Sequence, residues 1–244
     1  MSSTGNSAPG SGFYRSKLPS ASWVPARDAT LSRLVRSERV LHIGCADAPL
    51  TAAKLREGGL LHQKVLAEAE TVLGVDLDEH GLALLRAHVG GEYLHADATD
   101  PAALTPALSA QPTIVLAADV IEHVGDPGRF LDALAAFSAR CLPPPRLLLS
   151  TPNALSVRGP ILAAAGLELV HPDHRMIFTP TTLARSLSVA GYGATSWWSY
   201  PVSLGRSVPR RIFDTAARAA GRAWPPLADG MIVLASLDHG GTRP

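Results

Sequence analysis

Short, wholly apolar runs alternate along this chain with segments whose apolar residues recur every three or four positions. The first run, Val40-Leu41-His42-Ile43, stops at Gly44, and the second, Thr71-Val72-Leu73-Gly74-Val75, ends on Asp76. Tyr93-Leu94-His95 ends near Asp97, Thr113 to Ala117 ends near Asp119, and Arg146 to Ser150 makes the fifth. Runs of this length bounded by turn residues predict strands buried on both faces. The periodic segments predict helices: Leu31, Leu34 and Val35 after Asp28; a stretch from about Leu50 that resumes past Gly58-Gly59 as Leu61 to Ala69; Leu82, Leu84, Leu85 and Val89; and Phe130, Leu131, Leu134 and Phe137 within 128–141. Strands alternating with amphipathic helices predict a doubly wound α/β fold, a mostly parallel sheet with helices on both faces.

Beyond Ser150 the texture changes. Thr151-Pro152-Asn153 predicts a turn, and 154–178 a loop-rich stretch with short helical pieces. Thr179-Pro180 supplies a cap and a first-turn proline for a helix through Leu183, Leu187 and Val189, ending at Gly191. Thr195 to Trp198 and Met231 to Ala235 predict a closing strand pair around an arginine-rich helix near 208–222. With no internal repeat and no linker, 23–244 is expected to be one domain whose insertions at 154–178 and 196–229 shape an acceptor site. Residues 1–22, rich in Ser, Gly and Pro at the start, are expected to form a flexible tail.

Composition narrows the partners. At 244 residues with 46% hydrophobic and 18% charged positions, the chain is globular in character. Lys and Arg number 22 against 21 Asp and Glu, so no overall field draws it to DNA, RNA or an anionic membrane, and a small-molecule partner is expected. Cys45 and Cys141 both lie in or beside apolar segments, which predicts reduced core thiols and a cytoplasmic setting. The N-terminal residues lack the basic and apolar regions of a signal peptide, and no stretch reaches the ~18 apolar residues of a membrane helix.

The polar residues collect where ligands bind in open α/β sheets, at the carboxyl ends of the predicted strands. They are Gly44-Cys45-Ala46-Asp47, Asp76, Asp97, Asp119, Glu122-His123 and Thr151-Pro152-Asn153. Any one Asp or Asn there also serves as a helix cap. A glycine turn after the first strand with an acidic residue ending the second suits a nucleoside, because the backbone can approach the ligand while the carboxylate takes the ribose hydroxyls. The turn Gly44-Cys45-Ala46-Asp47-Ala48-Pro49 keeps one glycine of the G-x-G-x-x-G dinucleotide fingerprint, which disfavours NAD.

The ordered series VLHIGCADA, VLGVDLD, LHADATD, IVLAADVIEHVGDP and LLLSTPN, spanning about 38–155, resembles the motifs of class I S-adenosylmethionine-dependent methyltransferases. One such turn is common to many folds; five motifs in this order and spacing are not. The resemblance implies a Rossmann-like sheet of seven strands, the last antiparallel, and S-adenosylmethionine as cofactor. It further implies that Gly44, Cys45 and Ala46 lie against the methionine portion, that Asp76 binds the ribose hydroxyls and that Asp97 accepts from the adenine amine. Leu77 and Ala98 would flank the adenine, and Ala118 would complete the cofactor set. The chain departs from the pattern at His42, where an acidic residue is usual, and at Ala46 and Ala48, where glycines are usual.

Asp119-Val120-Ile121-Glu122-His123 places three polar groups at i, i+3 and i+4, which share one face of a helical turn. His171-Pro172-Asp173-His174 lies downstream. Two oxygens and two imidazoles suit Mg²⁺, Mn²⁺, Fe²⁺ or Zn²⁺. The combination is similar to ubiquinone-biosynthesis O-methyltransferases and to small-RNA 3′-terminal 2′-O-methyltransferases, which implies Asp119, Glu122, His123 and His174 as metal ligands, with His171 as the other choice for the downstream position. Two readings stand beside the metal: a metal-free site in which His123, His171 or His174 is the general base, and plain packing. Trp197, Trp198 and Tyr200 either line an acceptor pocket with 154–178 or pack a closing strand. Arg206, Arg210, Arg211, Arg218 and Arg222 either meet a phosphorylated acceptor or form a solvated helix face. The expected activity is methyl transfer to a hydroxyl of a small molecule, such as a secondary metabolite, sugar or quinone precursor. An RNA 2′-O-methyltransferase and a catalytically silent cofactor-binding regulator are the alternatives.

Overall fold

The computed structural model describes residues 16–204 and 207–238. Its first half is the expected alternation. After β1 (Ser22–Trp23) and α1 (Arg27–Leu34) come β2 (Arg39–Ile43), α2 (Thr51–Glu57), α3 (Leu61–Glu68), β3 (Thr71–Asp76), α4 (Glu79–His88) and β4 (Glu92–His95). A 3₁₀ segment, Thr105–Ala110, leads to β5 (Ile114–Ala118), α5 (Pro127–Ser138) and β6 (Arg146–Pro152). The second half adds α6 (Arg158–Ala164), α7 (Pro180–Val189), β7 (Tyr192–Tyr200), α8 (Val208–Ala223) and β8 (Gly230–Leu237).

All eight strands join one sheet in the order β1-β7-β8-β6-β5-β2-β3-β4. The strands from β4 to β6 pair in parallel, while β8 runs antiparallel to both β6 and β7. The expected count of seven is corrected to eight: Ser22–Trp23 adds a short edge strand parallel to β7. Two residues leave no periodicity to read, and the pairing comes from backbone bonds such as Val24 N–H to the Ser199 carbonyl at 2.8 Å. Ser22, the last residue of the expected tail, is therefore in the sheet, and residues 1–15 lie outside the described part.

Alternation along the strands sorts the core into two faces. Leu41 and Ile43 of β2, Val115 and Ala117 of β5, and Leu147 and Leu149 of β6 meet Phe130, Leu134 and Phe137 of α5 and Leu183 and Leu187 of α7. Val40, Ile114, Leu116 and Leu148 turn the other way onto Leu31 of α1 and Leu61 and Val65 of α3. Each fully buried side chain of this size contributes roughly 1.5–3 kcal/mol, so both helical layers are held firmly against the sheet. Local signals set helix starts: the Asp126 carboxylate accepts from Arg129 N–H at 3.0 Å ahead of Pro127, and Thr179 forms a capping box with Thr182.

From β2 the chain steps outward to β3 and β4, then returns to lay β5 on the other side of β2. That reversal opens a crevice at the carboxyl ends of β2 and β5. The segment Gly44 to Asp47 follows β2 into it, and Asp119 to His123 follows β5.

Candidate functional site

Two cavities, of about 540 Å³ and 500 Å³, meet at Gly44, Asp76, Val120 and His123. Gly44 lies at φ +72°, and a Cβ there would stand 2.5 Å from Val120 Cγ2, so both backbone conformation and space require glycine. Asp76, at the end of β3, accepts from Ala46 N–H at 2.8 Å and from Asp78 N–H at 2.9 Å, one bond on each carboxylate oxygen. This fixes the carboxylate at the junction with lone pairs to spare. The methyl of Ala46 is accommodated because α4 presents Gly81 opposite it; a Cβ on Gly81 would lie 2.7 Å from Ala46 Cβ.

The first cavity continues past Asp76 to Leu77, Asp97 and Ala98. Asp97 is oriented by Thr99 N–H at 2.8 Å, and Leu77, 64% exposed, offers an uncovered apolar face beside it. Of the expected cofactor residues, Gly44, Asp76, Leu77, Asp97 and Ala98 therefore line one cleft. Cys45 and Ala118 line the second cavity, Ala46 acts through its backbone N–H, and burial pushes the Cys45 thiol far up, so it is protonated.

The second cavity is lined by His42, singled out in the sequence only as a departure from the family pattern, and by His62, Arg27 and Lys54, which were not singled out. His42 Nδ1 lies 3.0 Å from His62 Nδ1, and His62 Nε2 lies 3.1 Å from the Tyr93 hydroxyl. Arg27 and the ion pair of Asp47 with Lys54 also line it. At its far end three imidazoles gather, with ring centroids 4.7 Å apart for His123 and His174, 5.3 Å for His171 and His174 and 5.9 Å for His123 and His171. The downstream pair reaches this point because Arg175 N–H donates to the Glu122 carbonyl at 2.8 Å, tying the two loops together.

Glu122, His123 and His174 place one potential ligand atom each within 4.8 Å of one another. Glu122 is fully buried; its Oε2 accepts from Thr151 Oγ1 at 3.0 Å, and its Oε1 has no partner among the described residues. Burial raises its pKa to about 7, and it lowers those of His123 and His174 below the ordinary imidazole value. Asp119 stands apart from this group. Its backbone is left-handed at φ +53°, and Ile121 to His123 form a turn, not the continuous helical face on which Asp119, Glu122 and His123 were expected to converge. Its carboxylate is taken instead by Arg27, by Ser150 Oγ at 2.7 Å and by the Tyr200 hydroxyl at 3.3 Å. Arg27 and Tyr200 come from opposite ends of the chain, which is why no local pattern announced them.

A third cavity of about 760 Å³ shares His171 and His174 with the second and is walled by Leu162, Leu167, Leu169, Val170 and Ile177. The expected insertion at 154–178 thus borders the site. Arg158 anchors it, donating to Asp229 at 2.7 Å, Asp214 at 2.8 Å and the Val202 carbonyl at 2.9 Å. Trp197 and Trp198 pack on opposite faces of the sheet and line none of the three cavities. On α8, Arg222 lies over the Trp23 ring at 5.6 Å; Arg206 lies outside the described residues.

The chain is similar to known methyltransferases in sequence and in fold. Residues 14–196 match the family described as a methyltransferase domain. Over 169 residues the chain is 29% identical to a ubiquinone biosynthesis O-methyltransferase of Aeromonas salmonicida, an alignment covering 63% of this chain and 62% of that protein's length. A putative methyltransferase from Bacillus halodurans shares the fold at a TM-score of 0.52 and 13% identity, covering 85% of this chain and 96% of that one. The small RNA methyltransferase HEN1 does so at 0.50 and 18%, covering 89% of this chain and 25% of that one. No helix among the described residues is long and apolar enough to cross a membrane.

Proposed function

We propose a function from the premise that the chain belongs to the methyltransferase-domain family: it transfers the methyl group of S-adenosylmethionine to a hydroxyl of a small-molecule acceptor, such as a secondary metabolite, sugar or quinone-type precursor. The observation that carries this reading is the meeting of two cavities at Gly44 and Asp76, with Glu122, His123 and His174 beside the junction. S-adenosylmethionine, when bound, supplies an electrophilic sulfonium methyl. The chain's own residues bind and orient. Asp76 takes the ribose hydroxyls, Asp97 the adenine amine, and Leu77 and Ala98 the two faces of the ring. His123 borders both cavities, and burial keeps its ring neutral near physiological pH, so a ring nitrogen can accept the acceptor's hydroxyl proton. The aliphatic third cavity suits an apolar portion of the acceptor. The net charge of +1 counts against RNA as the acceptor.

In the alternative form of the site, Glu122, His123 and His174 would hold a divalent ion such as Mg²⁺ or Mn²⁺, with His123 a ligand and not the base, and the ion would act as a Lewis acid on the hydroxyl. Support comes from the buried Glu122 Oε1, which has no partner among the described residues, and from the mixed oxygen and nitrogen donor set. The expected result is micromolar binding of S-adenosylmethionine by calorimetry, a rise in Tm with it and none with NAD, and turnover that EDTA abolishes and Mn²⁺ restores. Full turnover in chelator overturns the metal and leaves the histidine base. Cofactor binding without transfer to any hydroxylated acceptor makes the chain a silent binder.

A further inference from the structure

The segment that borders the acceptor end is fastened at few points. Arg158 and Phe178 are buried, but none of residues 159–177 between them is: Leu162, His174 and Ile177 are half-buried and the rest exposed. A stretch with so little packed surface gains little from its own contacts to offset the entropy lost in ordering its backbone. It is tied to the β5 side of the site at the Glu122 carbonyl, which accepts from Arg175 N–H at 2.8 Å and from Met176 N–H at 3.4 Å.

Of this segment Arg175 alone lines the nucleoside cavity, whereas His171, Asp173 and His174 line the second. Two consecutive residues thus serve two cavities, His174 the acceptor end and Arg175 the cofactor end. The Arg175 side chain lies against the turn after Glu122, where Gly125 leaves room for it; a Cβ on Gly125 would stand 3.2 Å from Arg175 Nη1. Because Arg175 is exposed, its guanidinium sits at the mouth of the cavity and not in its floor. Arg27 and Arg158 are engaged by carboxylates, Arg27 by Asp28 and Asp119 and Arg158 by Asp214 and Asp229. No carboxylate among the described residues pairs with Arg175. Its donors and its flat face are free for whatever fills the cavity.

We propose that Arg175 is a positioning residue that couples the two ends of the site. With a nucleoside in the first cavity its guanidinium closes over the mouth, and the backbone that carries it then holds the Glu122 carbonyl and keeps His174 beside Glu122 and His123. The cofactor therefore binds first and completes the acceptor end. An acceptor held there retains the cofactor in turn, because coupling between two sites is reciprocal. This role rests on the first cavity being the nucleoside site of S-adenosylmethionine, and it needs neither a metal nor a particular acceptor.

Hydrogen exchange of the 171–178 backbone reads the coupling. S-adenosylhomocysteine is expected to slow exchange at Arg175 and Met176 about tenfold in the wild-type protein. 5′-Methylthioadenosine, which has the nucleoside and sulfur without the amino-acid end, should slow it as much, since Arg175 lines the nucleoside cavity and not the second. Arg175→Ala keeps the backbone donor and removes the guanidinium. Without ligand, its exchange should stay within about twofold of wild type, as for an exposed side chain that no carboxylate holds. Neither ligand should then slow it, and both should bind more weakly by up to about the same tenfold factor in calorimetry, as reciprocity requires. Slowing by S-adenosylhomocysteine alone overturns the proposal, because the coupling then runs through the second cavity. Ligand binding that leaves wild-type exchange unchanged, or an undiminished response in Arg175→Ala, also overturns it. So does a variant whose exchange is already tenfold faster without ligand, which marks a merely structural role. Wild-type protein that binds neither ligand overturns the cofactor reading itself.

Discussion

The nucleoside cleft and the acceptor end differ in how their side chains are held. In the cleft, support comes from nearby in sequence or from the adjoining turn: Asp97 is oriented by Thr99, and Asp76 by Asp78 and by Ala46. At the acceptor end the side chains are tied mainly to side chains or loops of other elements. Asp119 is fixed by Arg27 and Tyr200, Glu122 by Thr151, and His174 by the tie between Arg175 and the Glu122 carbonyl. At the acceptor end burial raises Glu122 to about 7 and Tyr200 to about 12. Binding a common cofactor asks only for fixed geometry, whereas moving a proton asks for groups poised near neutrality.

The largest test of this contrast is Asp76→Ala. Losing two charge-assisted bonds to the ribose should cost about 4 kcal/mol, roughly a thousandfold in S-adenosylmethionine affinity by calorimetry, while circular dichroism stays native. Unchanged affinity would sink the assignment. Next comes Gly44→Ala, which combines a left-handed backbone with a Cβ 2.5 Å from Val120; the penalty should be about 3 kcal/mol, seen as a Tm lower by roughly 6–12 °C. A Tm within a degree or two of wild type would show that the turn relaxes freely.

Glu122→Gln probes the acceptor end alone. The folded-state pKa of about 7 lies above the ordinary 4.5, so between these values the folded protein holds a proton that the unfolded chain has released. Stability contributed by Glu122 is full below about pH 4.5 and declines as pH rises towards 7, by roughly 3 kcal/mol. In chelator, Tm measured from pH 5 to 7.5 should fall in wild type and flatten in the glutamine variant, and Mn²⁺ should raise Tm at pH 7.5 only in wild type. An identical slope in both would show that another group carries the pH dependence. The smallest effect belongs to Arg27→Leu. Its ion pairs with Asp28 and Asp119 are about a quarter exposed, so the loss should be about 1 kcal/mol in denaturant unfolding, with cofactor affinity within twofold. A tenfold loss of cofactor affinity would mean that Arg27 serves the cleft as well.

Much of the fold could be read from pattern, because a strand buried on both faces must be apolar throughout and a helix covering it must repeat every three or four residues. The runs ending at Ile43, Asp76 and Ser150 each correspond to a strand, and Thr179-Pro180 starts a helix as expected. The cofactor residues were legible for a related reason: the turn and the acidic strand ends are short patterns, each read at the end of its own strand. What the sequence by itself determined, then, is the alternating layers, the place of the crevice and the polar residues that border it.

The tertiary structure decided which polar groups face one another. Glu122, His123 and His174 form one group, while Asp119, in the same pentapeptide, is drawn away to Arg27 and Tyr200. Periodicity suggested a helical face for 119–123, but the left-handed backbone at Asp119 turns its carboxylate elsewhere. His42, read only as a departure from a pattern, acquires a partner in His62, itself bonded to Tyr93, once three strands and a helix are laid together. Such pairings join residues tens of positions apart in the chain. No local spacing encodes them, because the free energy that selects them comes from desolvating each group and is recovered only through a partner that folding brings near.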